Sequence, residues 1–377
     1  MKGKKISRRE FIKRLIGIGV GSLLFPEIIE ARREGKGLIV TRRECMFYKK
    51  LEDNKVQCVH CPHECVLKPG ERSFCRVKEN VGGKLYTLVY ANPTSVHIDP
   101  IEKKPFFHFM PQKYALSIGT AGCNFRCIYC QNWQISQRRP EETINVEIWP
   151  EEMVRIAREY GTPIIAYTYN EPVIFYEYNY EIARLAKRYG IRNVYVTNAY
   201  INKEPMERHA PYLDGATITL KWIDEDAYWK YSHGRLKEVQ RAIKHMWELG
   251  IHIELINLVV PTLNDDMEKV RRLVRWIRDE VSPEVPLHLL RFYPHYKLRN
   301  LPPTPLETLK HAREVALEEG MYYVYLGNVP PGDPTTWTYC PKCKKVLIKR
   351  EGYFIRENRI RDGKCPYCGA KIYGVWE

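Results

Sequence analysis

Three cysteines, Cys123, Cys127 and Cys130, stand in the run GTAGCNFRCIYCQNW, separated by three and then two residues, and the next cysteine along the chain is Cys340. A zinc site or an electron-transfer cluster normally takes a fourth protein ligand. Three thiolates can instead hold a four-iron cluster by three corners and leave the last iron to a ligand that is not protein. The spacing therefore predicts a reaction centre, with a zinc knuckle that borrows a distant histidine as the alternative.

Eight further cysteines fall into two compact sets. Near the C-terminus, C-P-K-C, 21 intervening residues and C-P-Y-C-G form a zinc-ribbon pattern in which Cys340, Cys343, Cys365 and Cys368 would close a tetrahedral site. Structural zinc is expected there, with an iron–sulfur cluster as the second choice. Upstream, Cys58, Cys61, Cys65 and Cys75 make a looser C-x2-C-x3-C-x9-C set. It suits zinc or an additional cluster that relays electrons. Cysteines two or three residues apart bridge one another poorly, so eleven of the twelve read as metal ligands, and only Cys45 is left over. Thiols reserved for metals imply assembly in a reducing compartment.

These ligands need a scaffold. Between residues 114 and 328 short β-rich runs alternate with helical ones, which predicts βα units and a parallel sheet. The strands are expected at 114–119, 163–169, 193–197, 216–221, 252–260 and 286–292. Leu236, Val239, Ile243 and Met246 share one helix face, as do Val270, Leu273, Val274, Ile277 and Val281. Gly190 and Gly250 stand where two helices should stop, and Thr304 in LPPTP should cap the helix starting near Pro305. Six strands and their helices fit a partial (βα)6 barrel of class α/β over 108–328, flanked by small cysteine-rich metal modules at 40–100 and 336–377. Reactive groups in such sheets gather at the C-terminal strand ends, and the cysteine run directly follows the first strand.

The other strand ends carry polar groups suited to a cofactor. Asn170 and Glu171 in YTYNEP follow the second strand, where a carboxylate could accept from an ammonium group. Thr197 and Asn198 end the third strand in VTNAY, and Lys221 follows the fourth in ITLKW. His288 and Arg291 lie on the sixth strand with opposite facings. Each has a structural alternative: Glu171 as a helix N-terminal acid, Thr197 and Asn198 as turn and cap residues, Lys221, His288 and Arg291 as core or surface groups.

Formal charge is +15, but residues 1–50 hold 14 Lys or Arg against 5 Asp or Glu, leaving +6 for the other 327 residues. That distribution argues against a nucleic-acid partner. Residues 1–31 form a basic arm in which SRREFIK resembles a twin-arginine export signal. Its apolar run, 15–25, is too short to span a bilayer. The alternative is an arm lying on the protein or a membrane surface.

The C-x3-C-x2-C run, with Tyr129 before its last cysteine, resembles the radical S-adenosylmethionine (SAM) enzymes. The order of the blocks KLEDNKVQCVHCPHECVLKPG, YTYNEP, LKW, HLLRFYPHYKLRNLPPTP and GNVP, with the terminal cysteine pairs, is similar to one branch of them. That branch is the radical enzyme of the AMMECR, MEMO and radical-SAM trio, related to glycyl-radical-enzyme activases. The resemblance implies a 4Fe–4S cluster on Cys123, Cys127 and Cys130 whose open iron binds SAM. Reduction then cleaves the sulfonium to methionine and a 5′-deoxyadenosyl radical. It implies Tyr129, Asn170, Glu171, Thr197, Asn198, Lys221, His288 and Arg291 as the cofactor's surroundings. The family commonly has glycine where Ala199 stands. The activase relation implies a protein or peptide substrate and a separate electron donor; the alternatives are a small-molecule substrate, or a non-enzymatic zinc-dependent scaffold. SAM and low-potential electrons are supplied in the cytosol, which favours cytoplasmic action, with export or membrane association through the arm as the alternative.

Overall fold

The computed structural model describes residues 40–377 together with the backbone of a two-residue strand, Leu23–Leu24. Apart from that strand, the basic arm and its twin-arginine motif lie outside the described residues. No helix among the described residues is long and apolar enough to cross a membrane.

Eight strands of one sheet are numbered here β1 (Ser95–Pro100), β2 (Tyr114–Gly119), β3 (Ile164–Tyr167), β4 (Arg192–Thr197), β5 (Gly215–Thr219), β6 (His252–Val259), β7 (Leu287–Arg291) and β8 (Val324–Gly327). They lie side by side in chain order, and Leu23–Leu24 adds a ninth strand beyond β1. From β2 to β8 every pairing is parallel, whereas β1 runs antiparallel to β2. An order without reversal, its crossovers made by helices, carries those helices on one face. The six predicted strands are β2 to β7. The structure adds β8 as a seventh parallel strand and β1 on the other edge, so the parallel count exceeds the (βα)6 expectation by one. β8 is only four residues long, which weakens its alternation in sequence, whereas β1 is as long as β2.

The helices follow their apolar periodicity. Helix Leu236–Glu248 buries Leu236, Val239, Ile243 and Met246, and helix Met267–Glu280 buries Val270, Leu273, Val274 and Ile277. Val281 is the residue that ends the second helix. Gly190 and Gly250 adopt φ of 69° and 74°, the left-handed geometry of a helix stop. Thr304 does something else. Helix Leu306–Glu318 takes no side-chain cap; the Thr304 hydroxyl donates to Val259 O (2.6 Å) and accepts from Phe292 N (2.9 Å), pinning the ends of β6 and β7.

The two cysteine-rich segments dock at opposite ends of the strands. At the N-terminal ends, residues 105–110 and the C-terminal ribbon close the sheet. Glu254 on β6 accepts from Phe107 N (3.0 Å) and His108 N (2.8 Å), and also bonds His252 (3.2 Å) and His288 (2.8 Å). Arg350 of the ribbon, fully buried, donates to Phe107 O (2.9 Å), Thr336 O (3.0 Å) and Thr338 Oγ1 (2.8 Å). At the C-terminal ends sits the cysteine loop, and against it the N-terminal segment, two three-stranded antiparallel sheets.

Candidate metal and cofactor centre

The cysteine loop leaves β2 through a close backbone approach. A Cβ on Gly119 would lie 2.9 Å from Thr168 O, and one on Gly122 (φ 87°) would lie 2.6 Å from Cys75 O, so both positions require glycine. Both ends of the loop are then tied to the turn after β3. Asn170 donates to Thr120 O (2.9 Å) and Gly122 O (2.8 Å), and Asn132 donates to Tyr169 O (2.5 Å). That turn carries Tyr169 at φ 70°, an unusual conformation for a bulky residue, and the Tyr169 hydroxyl donates to Asp99 (2.8 Å).

Of the predicted cofactor residues, Asn170 and Asn198 spend polar atoms on the loop itself, while Glu171 and Thr197 bond one another. Glu171, fully buried, accepts from Val173 N (3.2 Å), Thr197 Oγ1 (2.7 Å) and Asn198 N (2.8 Å). Its bond to Val173 N is the helix-capping arrangement. Asn198 in turn donates to Asn124 Oδ1 (2.9 Å) inside the cysteine run. Ala199 adopts φ 55°, which explains why glycine suits this position. Burial pushes the Glu171 carboxyl up to about 7 against the hydrogen bonds from Asn198, Thr197 and Val173 that lower it.

A folded value above the ordinary 4.5 means that this carboxyl's contribution to stability is complete below pH 4.5 and is lost as pH rises through about 7. Glu171→Gln keeps one acceptor oxygen but turns an amide donor toward a backbone donor. We expect a loss of enzymatic activity of about 10- to 100-fold, the range for disturbed outer-shell partners. The stability difference between wild type and variant should narrow between pH 4.5 and 7; a flat difference across that window contradicts the assignment.

Lys221 is placed differently. It is half-buried two residues beyond β5, and its ammonium makes no hydrogen bond or ion pair among the described residues. Burial lowers its affinity for a proton, but the Cys127, Tyr228, Cys130 and Cys123 side chains outweigh this and raise it. Its Nζ lies 5.9 Å from the Tyr129 ring centroid. Tyr129 packs edge-on to Trp222 at 5.7 Å, and with Phe125 these rings shield the loop. Arg291 is tied to Thr304 O (2.7 Å) and Tyr293 Oη (3.0 Å) at the end of β7. His288 belongs to the Glu254 cluster in the N-terminal half of β7, away from the cysteine loop. Sequence reading did not single out Asn124 or Arg126, although both stand inside the cysteine run.

Burial pushes the Cys123 and Cys130 thiols above their ordinary value. Both are half-buried; neutral thiols make poor nucleophiles, and a metal cation is the partner that would ionise them. Cys130 Sγ also lies 3.1 Å from Ser136 Oγ.

The ribbon is tighter. Sulfur separations are 3.6 Å for Cys340 to Cys368 and 3.7 Å for Cys343 to Cys365, and all four sulfurs lie within 4.8 Å of one another. A tetrahedron with metal–sulfur bonds of about 2.3 Å has edges of about 3.8 Å, so the set fits one tetrahedral ion. Stripping with a strong chelator should remove about one metal ion per chain from this set and unfold the ribbon. Release of that ion without any change in the Trp337 or Tyr339 environment would contradict a structural role.

With this geometry in view, comparison with known proteins gives the class. The sequence profile of the radical SAM superfamily matches residues 117–274, a span that begins in β2 and ends in helix Met267–Glu280. Residues 117–274 are thus a radical SAM domain, and the chain is a radical SAM enzyme. The chain is 46% identical over 332 residues to the uncharacterized protein MJ0808 of Methanocaldococcus jannaschii, covering 88% of this chain and 98% of that one, and the two share a family. It is also 24% identical over 185 residues to the pyruvate formate-lyase-activating enzyme of Clostridium pasteurianum, covering 47% of this chain and 76% of the relative. Among solved structures, Streptococcus suis SuiB bound to S-adenosylmethionine aligns at 14% identity with a TM-score of 0.47, over 60% of this chain and 53% of SuiB.

Proposed function

We propose that this protein is an activase-like radical SAM enzyme of the AMMECR- and MEMO-associated branch, acting in the cytoplasm on a protein or peptide. The observation that carries the cofactor assignment is a loop with three cysteines and no fourth, faced by the uncommitted ammonium of Lys221. Cys123, Cys127 and Cys130 would hold three irons of a 4Fe–4S cluster. When bound, the cluster and SAM supply one-electron reductive cleavage of the sulfonium and, through it, hydrogen abstraction. Lys221 balances negative charge at the thiolates or at the SAM carboxylate. Asn170, Asn132 and Asn198 hold the loop in register, while Glu171 holds Asn198. Tyr129, Phe125 and Trp222 exclude water. The ribbon holds zinc and closes the far end of the strands, and the chain divides into an arm (1–31), an N-terminal module (40–100), the radical SAM core (108–328) and the ribbon (336–377).

A protein substrate is supported by the similarity to an activating enzyme. The test uses deuterium. Reduced enzyme and SAM are incubated with the protein fraction or the small-molecule fraction of cells grown in deuterated medium. Deuterium should enter 5′-deoxyadenosine from the protein fraction; transfer from the small-molecule fraction alone would establish the small-molecule reading instead.

A further inference from the structure

We propose that Cys58, Cys61, Cys65 and Cys75 hold a second iron–sulfur cluster, which passes single electrons to the centre at Cys123, Cys127 and Cys130. This inference rests on the reading of that centre as a 4Fe–4S site. The structure contains its own standard of comparison. Among the described residues, the ribbon is the one cysteine set whose sulfurs all come within 4.8 Å of one another. Neither the three cysteines of the radical SAM loop nor the N-terminal four gather their sulfurs that closely, and the ligands of a multi-iron cluster, each on its own iron, have no need to. These four line a single cavity whose wall includes Phe74, Val173 and Ile174.

The surroundings suit an anionic cluster. His60 Nδ1 lies 3.5 Å from Cys58 Sγ, and its Nε2 is held by Glu177 Oε1 at 2.7 Å, the outer-shell arrangement that orients a group toward a metal ligand. Cys45, His60 and Glu177 also come within 4.8 Å of one another. Lys78 already supplies the cation at that point, with Nζ 3.3 Å from Glu177 Oε2 and 3.6 Å from Cys45 Sγ. Cys45 therefore serves the lysine rather than the cluster, and the charge of Lys78 also acts on Cys58 and Cys75.

The two centres are joined by a short path. Cys75 O would touch a side chain on Gly122, the residue before Cys123. Arg126 donates to Cys123 O (2.8 Å) and, with its other nitrogen, to Phe74 O, while its guanidinium lies 4.1 Å over the Phe74 ring. Cys58 and Cys75 are buried, whereas Cys61 and Cys65 are partly exposed, Cys65 next to the exposed Val66. A low-potential one-electron carrier, a reduced flavin or iron–sulfur protein, could deliver there. The carrier loses one electron, the N-terminal cluster gains it and returns to its oxidised state on passing it inward. No bond forms or breaks.

The experiment uses the full chain, reconstituted anaerobically with iron and sulfide and assayed for iron, sulfide and zinc, with electron paramagnetic resonance of the reduced protein. Wild type should hold about eight irons, with one signal altered by SAM and a second indifferent to it. The variant C123A/C127A/C130A should keep about four irons and the indifferent signal, and adding Cys61→Ser and Cys65→Ser should remove both. Should the triple variant fail to fold, the wild-type counts decide. About four irons with a second zinc, and one signal wholly responsive to SAM, overturn the proposal. The two readings fail separately: absence of 5′-deoxyadenosine from wild type, with iron retained by the triple variant, removes the proposed function but not the second cluster.

Discussion

Cys127→Ala in the full chain should abolish formation of 5′-deoxyadenosine, lower bound iron by about four per chain and leave the fold in place. Cys127 is buried on the loop between β2 and the short helix Trp133–Ser136, where its loss would remove one of the three sulfurs of the proposed cluster site. The neighbouring Cys123 and Cys130 cannot make up a third corner, and the nearest alternative thiols belong to the N-terminal module. Folding should survive, because the loop is held by other groups: Asn170 at its start, Asn132 at its end and Asn198 through Asn124. Far-ultraviolet circular dichroism and thermal melting check the fold, and chromatographic assay of 5′-deoxyadenosine under dithionite checks the chemistry. A folded Cys127→Ala protein that still cleaves SAM would show that the three cysteines are not the ligands.

The second large effect lies at the other end of the strands. Glu254→Ala destabilises the protein by about 3–5 kcal/mol, the cost of breaking a buried ionic cluster by removing one partner. Four donors lose their acceptor together: Phe107 N, His108 N, His252 and His288. Residues 107 and 108 link the sheet to the ribbon, so the defect spreads to Arg350 and Tyr325. The melting temperature should fall by about 5–10 °C. Burial alone would raise the Glu254 carboxyl, but the bonds and charge of His252 and His288 hold it well below the usual carboxylate range. A depressed value contributes stability above the ordinary 4.5 and loses it as pH falls below that. The gap between wild type and Glu254→Ala should therefore shrink on acidification from pH 5 downward. Equal melting of the two proteins at pH 7 would refute the account. His288 should fail to alter SAM affinity when replaced, since its partners are structural.

Much of the fold was legible because its signals are local. Strands β2 to β7 announce themselves through β-rich runs between helices whose buried faces repeat at helical spacing. Leu236 and Val239 needed no tertiary information to be assigned inward. Thr304 was misread because capping by a residue before a helix is a local rule, and the long-range bonds to Val259 and Phe292 displaced it. Glu171 and Asn198 stand between two readings for the same kind of reason. A polar group at a strand end reads equally as a ligand for a cofactor or as a brace for the next loop, and the distinction depends on which donors from distant segments reach it.

By itself the sequence determined the candidate ligands: residue type and spacing are covalent properties of the chain, so three cysteines without a fourth, and two sets of four, are visible without coordinates. Only the tertiary structure decided how those sets relate. It brought Cys75, 48 residues before Cys123 in the chain, against the backbone of the cysteine loop. It enclosed Lys78 and Glu177 between modules, and drew the four ribbon sulfurs within 4.8 Å of one another. These relations depend on long-range packing and on which buried charges find partners, and neither is encoded in the spacing of residues along the chain.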